Sequence, residues 1–333
     1  MAVPANTVQT FARANIREQL SDIITMVDPT DVPFYSTAKK GTAKSRTPEW
    51  QNDTLADPDI ANANIEGDDA SNDTTAASTR IKNVVQLLDK VVQVSTTARA
   101  VETAGYEDEL ERQVLKKGKE LKRDIEAIIT GNFASVLGAA GTAGKCGGAE
   151  AMIKTNFSRG ATGASGGYNT GTGLVVAATD GTTRTATEAQ LKDVVQQIWN
   201  TSGAKADMIM VNGAMKQKYS AFAGIATQYR DNPGMKAAVI IAAADVYKSD
   251  FGLHTIVPNR FIGYSATRTR NATTSNQTAL VLDMSSWKVR FLQAMKTDTL
   301  AKTGHSDRRM ISCELTLECD NEKKNGVVAD ITV

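Results

Sequence analysis

The residues of this 333-residue chain whose types and spacing bear on chemistry are few: a serine among glycines, a glycine-rich run ending in lysine, and two late cysteines. Gly163-Ala164-Ser165-Gly166-Gly167 has the G-x-S-x-G spacing of a nucleophile elbow, which needs a strand before it and a helix after it to expose the hydroxyl. Its flanks are Gly, Asn and Thr, and only His254 and His305 exist to act as base, so a serine hydrolase using Ser165 stands as an alternative reading only. "GTAGKC" resembles a phosphate loop, yet the position that requires glycine is Ala139 and the position that requires a hydroxyl is Cys146. Cys313 and Cys319 lie on an alternating apolar face, where a free cysteine behaves as a small hydrophobe. Neither C-x-x-C nor H-E-x-x-H occurs. The acids Asp57, Asp59, Glu66, Asp68, Asp69 and Asp73 lack the glycine and the ligand spacing of a calcium loop. The expectation is no enzyme, no metal and no cofactor.

Composition narrows the class further. A net charge of +1 gives no overall pull toward nucleic acid or an anionic membrane. The longest apolar run, "AAVIIAAA", is far short of the roughly 20 residues of a membrane span. The first twenty residues contain Arg13, Arg17 and Glu18 and lack a signal peptide's apolar segment. Three cysteines cannot form an even disulfide framework, which fits a reducing compartment.

The least ordinary stretch is "EWQNDTLADPDIANANIEGDDASNDTTAAST", 31 residues with eight carboxylates and no Lys or Arg. Its large apolar residues, Trp50, Leu55, Ile60 and Ile65, stand five apart, a spacing that fits neither strand nor helix. Four such side chains bury too little surface to offset the backbone entropy of ordering the stretch. It is either disordered or an arm laid on something else, and Trp50, Pro48 and Pro58 weigh toward the arm.

Around it the chain is readable. Residues 11–27 place Ile16, Leu20, Ile23, Ile24 and Val27 on one helical face, and "DPTDVPFYS" ends that helix. The limbs 36–50 and 80–95 read as an extended hairpin with the acidic segment at its tip. Residues 105–131 form the clearest helix, a spine of roughly 40 Å, with acids at its first turn and Gly131 at its end. Its cations Arg112, Lys116, Lys117, Lys119, Lys122 and Arg123 read either as a seat for the acidic arm of another copy or as a solvated face with ion pairs of its own. Residues 138–186, rich in Gly, Ala and Thr, read as irregular or mobile connection. A capping box at Thr187 and Gln190 opens a helix striped by Leu191, Val194, Val195 and Ile198; "DMIMVN" and the strands around "AADVYKSDFGLHTIVPN" complete an α/β unit. The tail is strand sequence, with Ile311, Cys313, Leu315, Leu317 and Cys319 on one face, returning to pack under the spine helix.

That order of parts, with "LSDIITMVDPTDVPFYS", "PEWQNDTL", "NIEGDDA", "GKELKRDIEAIITGN", "YKSDFGLHTIVPNRF" and "LAKTGHSDRRMISCELTLECDNEKKNG", resembles tailed-phage major capsid proteins of the Hong Kong 97-type fold. The resemblance spans nearly the whole chain apart from 138–186. It implies an α+β capsid fold divided into an N-terminal arm (1–35), an E-loop hairpin (36–95), a P-domain of spine helix, antiparallel sheet and glycine-rich connection (96–186), an α/β A-domain (187–257) and closing strands of both domains (258–333). It implies a structural subunit of an icosahedral head, built from hexamers and pentamers of itself around double-stranded DNA held without sequence specificity, with portal, scaffolding and decoration proteins as partners and no membrane. Localisation would be the virion, after assembly in the host bacterial cytoplasm. The residues expected at contacts between subunits are Phe11, Ile16, Leu20, Trp50, Leu55, Ile60, Ile65, Glu66, Asp68, Asp69, Arg112, Lys116, Lys119 and Arg123. Residues 47–79 contain no lysine, so a noncovalent shell is expected, and the arm starting near Met1 leaves scaffolding to a separate protein. A cellular nanocompartment shell of the same fold is the nearer alternative.

Overall fold

The computed structural model describes residues 31–67, 69, 77–101, 108–222, 245–263 and 277–333. The arm helix expected over 11–27, with Phe11, Ile16 and Leu20, lies outside these residues, as do Asp68 and the apolar run 237–244.

The first half of the chain contributes α1 (Pro33–Thr37), β1 (Lys39–Thr42), β2 (Glu49–Asn52), β3 (Thr79–Lys82), β4 (Gln86–Ser95), α2 (Thr96–Ala100), α3 (Glu109–Thr130) and α4 (Ala149–Met152). Short strands β5 (Phe157–Ser158), β6 (Gly167–Tyr168), β7 (Val175–Val176) and β8 (Arg184–Thr185) follow. The second half holds α5 (Glu188–Ser202), β9 (Met208–Val211), α6 (Gly213–Ser220), β10 (Val246–Ser249), β11 (Gly252–Pro258), β12 (Gln277–Leu282), β13 (Trp287–Thr299), β14 (Ser306–Cys319) and β15 (Gly326–Thr332).

Two sheets organise the chain. A four-stranded sheet runs β1-β13-β14-β4, and α3 lies along it. Alternation in β14 puts Ile311, Cys313, Leu315, Leu317 and Cys319 into the core, where they meet Leu121, Ile125 and Ile129 of the helix and Trp287 and Val289 of β13. A seven-stranded sheet runs β10-β11-β9-β12-β15-β5, with β8 also on β15. It is covered by α5, whose Leu191, Val194, Val195 and Ile198 form a second core with Val211, Ile256 and Val281. The tail therefore divides: β12 and β15 serve the α/β unit, and β13 and β14 serve the sheet under the spine.

The start of α3 follows from its sequence. Asp108 accepts a hydrogen bond from the backbone N–H of Leu110, and Glu109 and Glu111 occupy the first turn, where the helix dipole favours them. Its 22 residues span about 33 Å. Thr187 and Gln190 make the expected capping box on α5, and Gly203 ends it with φ 63°.

Gly131 stands at the end of α3 as expected, with φ −80°, and a Cβ there would stand 2.3 Å from the Phe133 ring. Two readings are corrected. The limbs 36–50 and 80–95 are not one long hairpin. Only β2 and β3 pair, with Glu49 opposite Lys82 and Asn52 opposite Thr79. β1 instead joins β13 in parallel and β4 joins β14 antiparallel, so the P-type sheet is mixed at one edge.

The largest correction concerns 138–186. Residues 149–153 are fully packed, with Ala149, Ala151, Met152 and Ile153 at 0% exposure in the same core as the spine helix. Glycine permits this: a Cβ on Gly148 would stand 2.1 Å from the carbonyl oxygen of Gly131, and one on Gly166 would stand 2.2 Å from that of Ala151. The composition that resembles a loose linker is the composition of backbone packed on backbone.

Candidate inter-subunit surface

The acidic loop leaves the body through the β2–β3 ribbon, whose root is firmly held. The Trp50 indole N–H donates to the carbonyl of Cys319 at 2.9 Å, and its ring meets Tyr168 edge-on, centroids 6.1 Å apart. Glu49 pairs with Arg80 at 2.7 Å across the ribbon. One residue below, the Asn83 side chain donates to Leu317 O at 2.8 Å and accepts from Gly147 N at 2.8 Å, joining the limb to β14 and to the glycine-rich segment. Within the subunit the half-buried indole N–H of Trp50, a residue expected at a contact between subunits, finds its acceptor in Cys319 O.

Beyond the root, the hydrogen bonds of residues 53–67 are local, such as Thr54 N–H to Asp53 and Ala61 N–H to Asp59. Residues 53–67 carry no helix or strand, and Leu55 (98%), Ile60 (102%) and Ile65 (78%) are bare. Glu66 and Asp69 are exposed beside them. No hydrogen bond or ion pair joins residues 53–67 to α3 among the described residues. Three large apolar side chains in solvent on one acidic loop form a surface that is complete only when something covers it.

The basic face of α3 is partly used internally. Arg112 pairs with Glu109 at 2.7 Å, Lys117 with Glu120 at 2.6 Å, and the Arg123 guanidinium lies over the Phe261 ring at 5.7 Å. Lys116 and Lys119 are exposed. The reading of a face with ion pairs of its own thus holds at Arg112 and Lys117.

Glu126 is a functional residue that the sequence reading missed. It is buried on the spine helix and accepts from the backbone N–H groups of Phe34 (2.8 Å) and Tyr35 (2.7 Å) and from the Asn259 amide (2.6 Å). It caps α1 where chain 1–32 enters the body, and Phe34 packs edge-on against Trp287 beside it. Burial pushes its carboxyl above the usual range, opposed by those hydrogen bonds and by Lys40. A carboxylate three residues before Ile129, on the flank of an apolar stripe, was the available signal.

No catalytic constellation assembles among the described residues. Ser165 follows the isolated bridge between Ala164 and Thr179 and precedes β6, so the helix an elbow requires is absent. His254 is buried with Nδ1 on the carbonyl of Ala206 at 2.5 Å and Nε2 on the Ser249 hydroxyl at 2.7 Å. Burial lowers its pKa. A backbone carbonyl only accepts, so Nδ1 carries the proton and Ser249 donates to Nε2; that pair locks the β10–β11 turn. His305 is exposed. Cys146, Cys313 and Cys319 are buried free thiols, Cys313 pushed up to about 11 by burial. No group of three or more His, Cys, Asp or Glu side chains is placed to hold a metal, among the described residues. No described helix is long and apolar enough to cross a membrane.

A spine helix on a sheet, an α/β unit behind it and a projecting loop define the Hong Kong 97-type capsid fold. The chain belongs to the SU10 major capsid protein family, which it matches over residues 3–332. It is 28% identical over 340 residues to the major capsid protein of Escherichia phage Phieco32, covering 92% of this chain and 91% of that one. Among solved structures it is similar to that of Mycobacterium phage Ogopogo (TM-score 0.59, 13% identity, 97% of this chain and 99% of that chain). It is also similar to the holo-SrpI encapsulin complex from Synechococcus elongatus (TM-score 0.53, 9% identity, 100% and 97%), which shows that the nanocompartment alternative shares the fold. The family decides between them: this is a structural subunit of a phage head shell, and its place is the virion.

Proposed function

We propose that each subunit is fastened to its neighbours by the acidic loop and the N-terminal arm, in a noncovalent icosahedral shell of hexamers and pentamers around double-stranded DNA. The observation that carries this is the exposure of Leu55, Ile60 and Ile65 on a loop whose root is rigid. A neighbouring copy supplies the apolar cover, and cations such as Lys116 and Lys119, with Arg112 and Arg123 at the ends of the same face, supply the countercharge to Glu66, Asp68 and Asp69. Phe11, Ile16 and Leu20 are assigned to the arm's contact with a neighbour, and Trp50 to holding the loop's root. The division into arm 1–35, E-loop 36–95, P-domain 96–186, A-domain 187–257 and closing strands 258–333 is retained as the functional partition. The subunit has no catalytic role; it works with separate portal and scaffolding proteins, and it assembles in the host bacterial cytoplasm.

The test replaces residues 53–78 by Asn-Gly, a two-residue turn suited to closing the β2–β3 ribbon. The expected result is a folded subunit by circular dichroism that elutes as monomer or single capsomer and forms no shells by electron microscopy. Intact shells from this variant would remove the loop from the proposal.

A further inference from the structure

The glycine-rich segment does more than fill the core: its β6–β7 ribbon reaches the root of the acidic loop. The turn between those strands is tightly specified. The Asn169 side chain accepts from the backbone N–H of Gly171 and of Thr172, both at 2.9 Å, and Gly173 N donates to Asn169 O at 2.7 Å. Gly173 has φ +71°, and a Cβ there would lie 3.0 Å from Arg80 O, so the turn presses directly on β3. Its carbonyl accepts from Lys82 N at 2.9 Å. At the end of β6, Tyr168 meets Trp50, while its own hydroxyl is buried without a hydrogen-bond partner among the described residues. A half-buried tyrosine whose hydroxyl makes no such bond contributes through its ring.

We propose that Tyr168 and Gly173 are positioning residues for shell assembly, a clamp that sets the direction in which the acidic loop leaves the subunit. This rests on the reading that the loop docks on a neighbour. The chain from Asn52 to Thr79, doubled back on itself, reaches at most about 45 Å, so about 10° of play at the root moves its tip by about 8 Å, more than the width of a side chain. Trp50 and the β2–β3 ribbon alone are a two-stranded element, marginal without external support. The clamp supplies that support from a part of the chain that neither enters nor follows the loop.

The test uses the full-length protein and three readouts: unfolding midpoint, amide exchange at Lys82, and shells by electron microscopy. Tyr168→Ser and Gly173→Ala should leave the subunit folded, speed Lys82 exchange about tenfold through local opening, and give misshapen or sparse shells. Tyr168→Phe, which keeps the ring and drops the unpartnered hydroxyl, should restore wild-type exchange and wild-type shells; a purely structural hydroxyl would not allow that rescue. Should Tyr168→Ser fail to fold, Tyr168→Leu carries the same comparison, since it keeps an apolar side chain and drops the edge-on ring contact to Trp50. Wild-type shells from a variant whose Lys82 exchange is accelerated would overturn the clamp, as would unchanged exchange. The Asn-Gly replacement separates the two readings: if it assembles, docking of the loop fails; if it does not assemble while the loosened variants do, only the clamp fails.

Discussion

The acidic loop 53–67 and the glycine-rich segment 146–153 look alike as sequence, since both lack a helical or strand period and both are poor in large side chains. Their environments are opposite. Leu55, Ile60 and Ile65 stand almost fully in solvent, whereas Ala149, Ala151, Met152 and Ile153 have no exposure at all. The difference lies in what surrounds them along the chain. Glycines at 147 and 148 admit neighbouring groups to van der Waals contact, while the loop's Asp and Glu carboxylates repel one another and, with its Asn residues, hold water. Lack of periodicity thus marks irregular backbone and says nothing about whether it is buried.

The comparison can be tested at graded strength. The strongest intervention strands a charge inside the buried segment: Arg159 and Glu150 pair at 3.0 Å with side chains 1% and 8% exposed. Arg159→Met should cost the dissociated subunit about 3–5 kcal/mol by urea denaturation at neutral pH. The loss has a pH signature. Burial, opposed by Arg159, already pushes the Glu150 carboxyl above its usual range. A raised carboxyl contributes stability below its unfolded pKa and loses it as pH rises through the folded value, and removing Arg159 raises that value further. The penalty in Arg159→Met should therefore shrink as pH is lowered from about 7 toward 4.3, near the pKa of an unperturbed Glu.

A smaller effect is expected from backbone crowding. Gly148→Ala, whose methyl would meet Gly131 O and Ile128 O, should cost about 1–3 kcal/mol, read as a lowered urea midpoint. Smallest for the subunit is the loop itself. Replacing Leu55, Ile60 and Ile65 together by serine should change subunit stability by no more than about 0.5 kcal/mol, while shells vanish from sedimentation profiles. A stability loss as large as that of Gly148→Ala would mean that the loop lies on its own subunit.

Much of the architecture was legible because amphipathic period and caps are local. The spine helix, the capping box at Thr187 and the buried face of β14 each announce themselves within a few residues. What was not legible depends on distant partners. Nothing in "KKGT" declares that β1 pairs with β13, and nothing around Trp50 declares Cys319 as its acceptor. Glu126 was passed over because a helix pattern ranks residues by polarity, and only the chain end at Phe34 and Tyr35 reveals why a carboxylate is buried there. The glycine-rich core was misread because close approach leaves no periodic trace.

The sheet under the spine joins the chain's beginning to its end, β1 to β13 and β4 to β14. Without β13 and β14, the last strands but one of the chain, β1 and β4 have no strand between them. Closing this sheet pairs residues more than two hundred positions apart, such as Lys39 with Lys288 and Ser95 with Ser306, and contacts of that separation are slow to form.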